Sequence, residues 1–362
     1  MKTLVIGNAD RHPERHVKQE KFLSVIDAVS DESKLISGTI PEKYADDIKY
    51  NQINHAFNKR SSRSISILNF VIIQLKILLE VVKSRNFDCV VLFMGYPAGA
   101  LAGNLLRMDT IRFHGGPSPI ERDLSTLNWL ISEYLVNELV ETIIVPSESC
   151  IDHFDLENHA EKIKISPFHI GEEFKHSKPY GERPYDICYI GEMSTEKGVD
   201  ILIDAIKHIN TTRHDSVQLV LCGRGDLVKE YADILDEEYI DYRGWVNHSK
   251  LPEILNNSRS FVQFSESEGL PTVILESLAC GTPVLAKPVG GVSDIIIDGK
   301  NGRLYSPSNP EHASEKILEF LETDDLEAFS SNAQNTIDKK YRLQPTIDRF
   351  REILTNEECS SD

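Results

Sequence analysis

The rhythm of apolar and polar positions changes near residue 185. Beyond it, short apolar runs predict strands at 185–190, 217–222, 240–243, 260–264 and 282–286, with helical stretches between them at 198–210, 226–236, 250–257 and 271–280. Strands alternating with helices at this spacing imply a parallel, doubly wound sheet. Before residue 185 the pattern is looser. Apolar runs at Thr3–Ile6, Asp88–Met94, Thr110–Phe113 and Thr142–Pro146 predict strands, and helices are expected from near Val17, over 65–82, in the small-residue segment GALAGNLLR, and over 129–140. Apolar residues are too dense over 65–82 for a one-sided helix, so a largely buried helix is expected there, with a membrane-contact helix as the alternative. Residues 30–63 are polar and weakly patterned. The stretch 176–184 (HSKPYGERP), charged and holding two prolines and a glycine, is the best linker candidate, and 341–354 is amphipathic.

Composition narrows the class. A chain of 362 residues, 40% hydrophobic, can bury two ordinary cores. Lys+Arg 39 against Asp+Glu 57 gives a net charge of −18, which argues against nucleic acid or an anionic bilayer as the main electrostatic partner. The six cysteines form no C-x-x-C pair and sit mostly in apolar runs, so buried free thiols in a reducing, cytoplasmic compartment are expected. The N-terminus enters a strand without a signal-peptide layout, and no apolar run reaches spanning length. No His, Asp or Glu cluster has metal-ligand spacing and no D-x-D triplet occurs, so neither a metal nor another cofactor is expected.

The candidate chemistry centres on 265–291, SESEGLPTVILESLACGTPVLAKPVGG. A Gly-bearing turn at Glu268-Gly269 leads through Pro271, suited to a first helical position, into an apolar helix that Gly281 and Pro283 stop. A helix starting at the mouth of a sheet aims free N–H groups and a positive dipole end at an anion. Glu268 precedes this helix and Glu276 lies inside it, up to about 12 Å apart at the helical rise per residue. Two acceptors flanking a phosphate-friendly nest suit a ligand built as hydroxyls, phosphates, hydroxyls, which is the layout of a nucleotide sugar.

EGLPTVILE, with the trailing SLACGTPVLAKPVGG and IIIDGKNGRLY, resembles the E-x7-E signature of the retaining family-4 glycosyltransferases, which have the GT-B fold. The resemblance implies an α/β protein of two Rossmann-like doubly wound domains facing a central cleft: an acceptor-side domain over 1–174, a nucleotide-sugar-binding domain over 185–340, a linker over 175–184, and a C-terminal helix, 341–362, crossing back onto the first domain. It implies transfer of a sugar from a UDP- or GDP-type donor to a glycan or lipid-linked hydroxyl, with retention and without a metal. At most peripheral contact with the inner membrane face is expected. A sugar phosphorylase of the same fold and a non-catalytic nucleotide-sugar-binding protein are the alternatives.

By this resemblance Glu268 holds donor-sugar hydroxyls and Glu276 the ribose hydroxyls, with Gly269, Leu270, Pro271 and Thr272 forming the loop between. YIGEMSTEKGVD is similar to the family's G-R-x-x-x-x-K-G segment, which places Lys197 on the diphosphate and puts Glu192 where the family has arginine; Lys197 and Arg224 together are expected to replace that arginine. LCGRGD supplies Gly223 near the nucleotide, and YRGWV places Trp245 and Val246 by the base. In the first domain FHGGPSP delivers His114 from a strand end into a Gly-Gly turn, where the family has a His near the reacting centre.

Overall fold

The structure, a computed structural model, describes residues 1–7, 13–37, 50–52, 63–93, 96–114, 134–213, 216–323 and 325–355. The chain divides into two units, Met1–Phe168 with Thr346–Asp362, and His169–Pro345.

The first unit holds a seven-stranded sheet: β1 (Lys2–Ile6), β2 (Glu32–Ser37), β3 (Tyr50–Gln52), β4 (Cys89–Leu92), β5 (Asp109–Phe113), β6 (Thr142–Val145) and β7 (Ile163–Ile165), in the order β3-β2-β1-β4-β5-β6-β7. Every pairing is parallel. Parallel strands are covered on both faces, so their residues read as unbroken apolar runs. Leu4 and Ile6 of β1 join Ile77, Val90 and Leu92 in one core, whereas Val5 joins Phe22, Val91 and Phe113 in the other. The last helix, Leu343–Thr355, adds Phe350, whose ring lies 5.5 Å from Phe22. The small-residue helix, Pro97–Leu105, lies hard against the sheet, since a Cβ on Gly103 would come within 2.6 Å of Thr110.

The weakly patterned 30–63 contains β2 and β3; Ser33 and Ser37 of β2 are buried alongside Leu35 and Ile36, which hides the apolar signal. The helix Arg63–Lys83 is not largely buried over its described side chains. Ile73, Ile77 and Val81 face the core, while Val71, Leu75, Leu79 and Val82 are 45 to 56% exposed.

The second unit holds six parallel strands: β8 (Tyr185–Ile190), β9 (Leu219–Cys222), β10 (Ile240–Tyr242), β11 (Ser258–Gln263), β12 (Val284–Ala286) and β13 (Gly302–Leu304), in the order β10-β9-β8-β11-β12-β13. Helices Val199–Thr212 and Pro310–Leu321 pack together on one face of this sheet, and Thr272–Ala279 and Leu326–Lys340 pack on each other. The expected helix at 226–236 is two short ones, Leu227–Glu230 and Ala232–Leu235. Cys89, Cys150, Cys188, Cys222 and Cys280 are buried and unpaired with one another; Cys359 lies outside the described residues. Burial pushes the Cys188 and Cys280 thiols up to about 12.

The stretch expected to link the domains, 175–184, is bonded into the second unit. The Ser177 N–H donates to Asn256 Oδ1 at 2.7 Å and Lys178 Nζ to Asn257 Oδ1 at 2.8 Å. Arg183, 4% exposed, donates to the carbonyls of Ser258 and Cys280 and to Thr282 Oγ1 at 2.8 to 3.0 Å. A Pro- and Gly-bearing polar segment reads as a linker by composition, but a buried guanidinium that must be satisfied fixes it to a core.

Candidate functional site

In both sheets the strand order reverses once, between β1 and β4 and between β8 and β11. Open α/β sheets bind ligands outside the carboxyl ends of the strands at such a reversal. In the second unit the loops leaving β8 and β11 therefore define the candidate site, and the chain locks them together. Gly198 has φ of +64°, and a Cβ there would lie 2.2 Å from the Phe264 carbonyl oxygen. The Glu266 N–H donates to the Glu196 carbonyl at 2.8 Å. On the other flank Gly290, φ +48°, leaves no room for a Cβ beside the Glu268 carbonyl, and the Gly291 N–H donates to Gly269 O at 2.7 Å. The Glu268 loop is thus held from both sides by backbone that only glycine can supply.

The Glu268 side chain, 11% exposed, is held by one oxygen. Lys197 Nζ, Gln263 Nε2 and Ser265 Oγ donate to Oε1 at 2.8, 2.7 and 2.8 Å. Among the described residues no hydrogen bond reaches Oε2. Burial, then the charges of Glu268 and Glu192, push the Tyr189 phenol up; that phenol donates to the Glu192 carbonyl at 2.6 Å.

Glu276 is buried at 3% exposure inside the helix Thr272–Ala279, and His248 Nε2 meets its Oε1 at 2.8 Å. The His248 ring lies 5.1 Å from that of Phe174. The helix begins at Thr272, one residue later than expected, with Pro271 as its N-cap and no side-chain cap on its first amides. Gly269, Leu270 and Thr272 are half-buried along this loop, and Pro271 is buried.

The loops after β9 and β10 join beside it. The Gly223 N–H donates to Gly244 O at 2.7 Å, and the Arg224 guanidinium lies 5.5 Å over the half-exposed Trp245 ring. Val246, like Val273 and Leu270, packs against the core of this unit. Glu192 is exposed. Lys197 pairs with Glu268 and Arg224 lies on Trp245, and among the described residues no ion pair joins either to Glu192.

His114 stands in the first unit at the carboxyl end of β5. It is 6% exposed, its N–H donates to the Ile144 carbonyl at 2.8 Å, and its ring stacks on Phe154 at 4.0 Å. The Gly-Gly turn after it, like the loop after Gly7, lies outside the described residues. Among the described residues no group of three or more His, Cys, Asp or Glu side chains is placed to hold a metal. The sequence reading missed Gln263 and His248. A glutamine ending the apolar strand SFVQ was a visible signal; His248 gave none.

Residues 171–336 match the family described as Glycosyl transferases group 1. The chain is 27% identical over 294 residues to the uncharacterised glycosyltransferase MJ1178 of Methanocaldococcus jannaschii, covering 79% of this chain and 80% of that protein. Among solved structures, Anabaena HepE in complex with UDP superposes with a TM-score of 0.75 at 18% identity, over 99% of this chain and 100% of that one. Sucrose-phosphate synthase of Thermosynechococcus elongatus gives 0.76 at 14% identity over 98% of each chain. The fold is therefore that of the GT-B glycosyltransferases, an α/β architecture with two parallel sheets.

Proposed function

We propose, from the group 1 glycosyltransferase domain at residues 171–336, that the protein transfers a sugar from a UDP- or GDP-type nucleotide sugar to a hydroxyl of a glycan or lipid-linked acceptor, with retention at the anomeric carbon. The observation that carries this reading is the Glu268 carboxylate, clamped through Oε1 at the β8/β11 reversal with Oε2 left to accept sugar hydroxyls. Glu276 accepts the ribose hydroxyls in place of His248. Val246 and Trp245 lie by the base, and Gly223 lets the nucleotide approach. Lys197, the backbone N–H groups of Gly269, Leu270 and Thr272 and, from its stack on Trp245, Arg224 face the diphosphate. In the first unit His114, at the carboxyl end of β5, is the residue we assign to the transfer step by its resemblance to the family's histidine. HepE has been solved with UDP and with UDP-glucose, which supports a uridine donor here.

On this reading catalysis is positioning plus stabilisation of the departing diphosphate and of an oxocarbenium-like sugar by groups already in place. Those groups are a lysine and backbone amides, so donor turnover should persist in excess EDTA. Release of nucleoside diphosphate from UDP-glucose, UDP-N-acetylglucosamine and GDP-mannose, followed with and without EDTA, tests both points. Complete loss on chelation, restored by magnesium or manganese, would overturn the metal-independent arrangement. Exposed Glu192, standing where the family has an arginine, favours a second reading in which the site binds a nucleotide sugar without turning it over. Hydrolysis of any of these donors removes that reading.

No described helix is long and apolar enough to cross a membrane. The half-exposed stripe of Val71, Leu75, Leu79 and Val82, with Lys76 and Lys83 on the same helix, is the surface through which the first unit would touch a bilayer peripherally. In flotation with vesicles of anionic lipid, binding should be weak, reversed by high salt, and reduced by Leu75→Glu with Leu79→Glu. Retention through a carbonate wash, or binding indifferent to the double substitution, would rule this face out.

A further inference from the structure

We propose that Gln263 is a positioning residue for the donor sugar: its amide N–H group locks the Glu268 carboxylate in the rotation that offers Oε2 outward. The inference rests on the donor-site reading above and adds to it the group that gives Glu268 its direction.

Gln263 is the last residue of β11 and 5% exposed, next to the fully buried Phe261, Val262 and Phe264. Its backbone is fixed by pairing with Ala286 of β12, and its carbonyl accepts from the Lys287 N–H at 3.1 Å. An amide placed in such surroundings is costly unless it is bonded. Nε2 donates to Glu268 Oε1 at 2.7 Å and to Ser265 Oγ at 2.8 Å, and Ser265 Oγ donates to the same carboxylate oxygen at 2.8 Å. Both amide hydrogens therefore serve one short network. Gln263 Oε1, by contrast, is buried with no hydrogen-bond partner among the described residues. Exchanging the two ends of the amide would set that oxygen against a carboxylate oxygen, so the bond to Glu268 decides the orientation and the unsatisfied carbonyl is the cost.

Lys197 differs in kind. It reaches Glu268 along a flexible four-carbon stem from the β8 loop and supplies charge, whereas Gln263 stands on a central strand and supplies direction. Buried polar groups left unsatisfied concentrate where a site needs a particular geometry.

The test follows release of nucleoside diphosphate from UDP-glucose, UDP-N-acetylglucosamine and GDP-mannose, and binding of bare UDP and GDP. Gln263→Met keeps length and removes the donor. It should lower kcat for the accepted nucleotide sugar by about 10- to 100-fold, the range found when a group that orients a metal ligand is removed. Bare nucleotide affinity and Tm should stay close to those of the unsubstituted protein. In Gln263→Glu the introduced carboxyl can donate only when protonated, so turnover should be low at neutral pH and recover as pH falls. Lys197, Tyr189 and, beyond that phenol, Glu192 surround the same carboxylate, with the Lys287–Glu266 pair on the neighbouring loops. These groups are common to both proteins, so the unsubstituted pH profile is the control. Equal losses of bare-nucleotide binding and turnover in Gln263→Met, unchanged turnover, or a Gln263→Glu profile parallel to the control would overturn the proposal. If the unsubstituted protein takes none of the three donors, the donor-site reading fails and this proposal with it.

Discussion

Glu276→Ala should weaken binding of the nucleoside diphosphate by about 2–3 kcal/mol, the cost of charge-assisted hydrogen bonds lost from a buried site. Glu276 is 3% exposed and stands in the middle of a short apolar helix, where a lost acceptor is costly. Its present partner, His248, has a side chain 38% exposed and can turn to solvent when the carboxylate is gone, which keeps the fold out of the measurement. Calorimetric titration with UDP and GDP reads the loss, and thermal unfolding checks the fold. Unchanged affinity in a folded variant would remove Glu276 from the nucleotide site.

Glu268→Gln should act on the other half of the donor. The substituted amide can still turn its oxygen toward Lys197, Gln263 and Ser265, since three donors at 2.7 to 2.8 Å leave only an acceptor tolerable there. Its N–H group then faces the sugar where Oε2 stood, so an acceptor becomes a donor. Lys197 also loses its counter-charge. We expect donor turnover to fall by about 10²–10³-fold, the range seen when a group aimed at the reacting centre is removed. Binding of bare nucleotide should be nearly intact. Equal loss of nucleotide binding would place Glu268 on the phosphates instead, and unchanged turnover would remove it from the site.

What the sequence made legible follows from where local pattern and burial agree. β4, β8 and β11 are covered on both faces and read as apolar runs, so their alternation with helices announced the parallel sheet. β3 and β13, three residues each at the sheet edges, carry too little pattern to detect, and the serines of β2 conceal a buried strand. The helix Arg63–Lys83 deceived differently: apolar density was read as burial, although half of its described stripe faces outward. At the site, Glu268 and Glu276 stood out because eight residues of separation across a helix start is a local feature. Their partners are not local. Lys197 lies 71 positions from Glu268, and His248 lies 28 from Glu276. Only the strand order, which sets β8 beside β11, makes the first of these pairs possible. Nor did the sequence show that Lys197 would meet a buried carboxylate and Arg224 an indole ring.

The central claim is that the loops at the β8/β11 reversal bind a nucleoside diphosphate sugar. Calorimetric titration of the unsubstituted protein with UDP, GDP and ADP and their glucose or mannose conjugates tests it directly. The account predicts saturable binding of one nucleotide family at a single site, weakened for the bare nucleotide by Glu276→Ala and not by Glu268→Gln. Absence of binding by all of them at millimolar concentration, in folded protein, would contradict it.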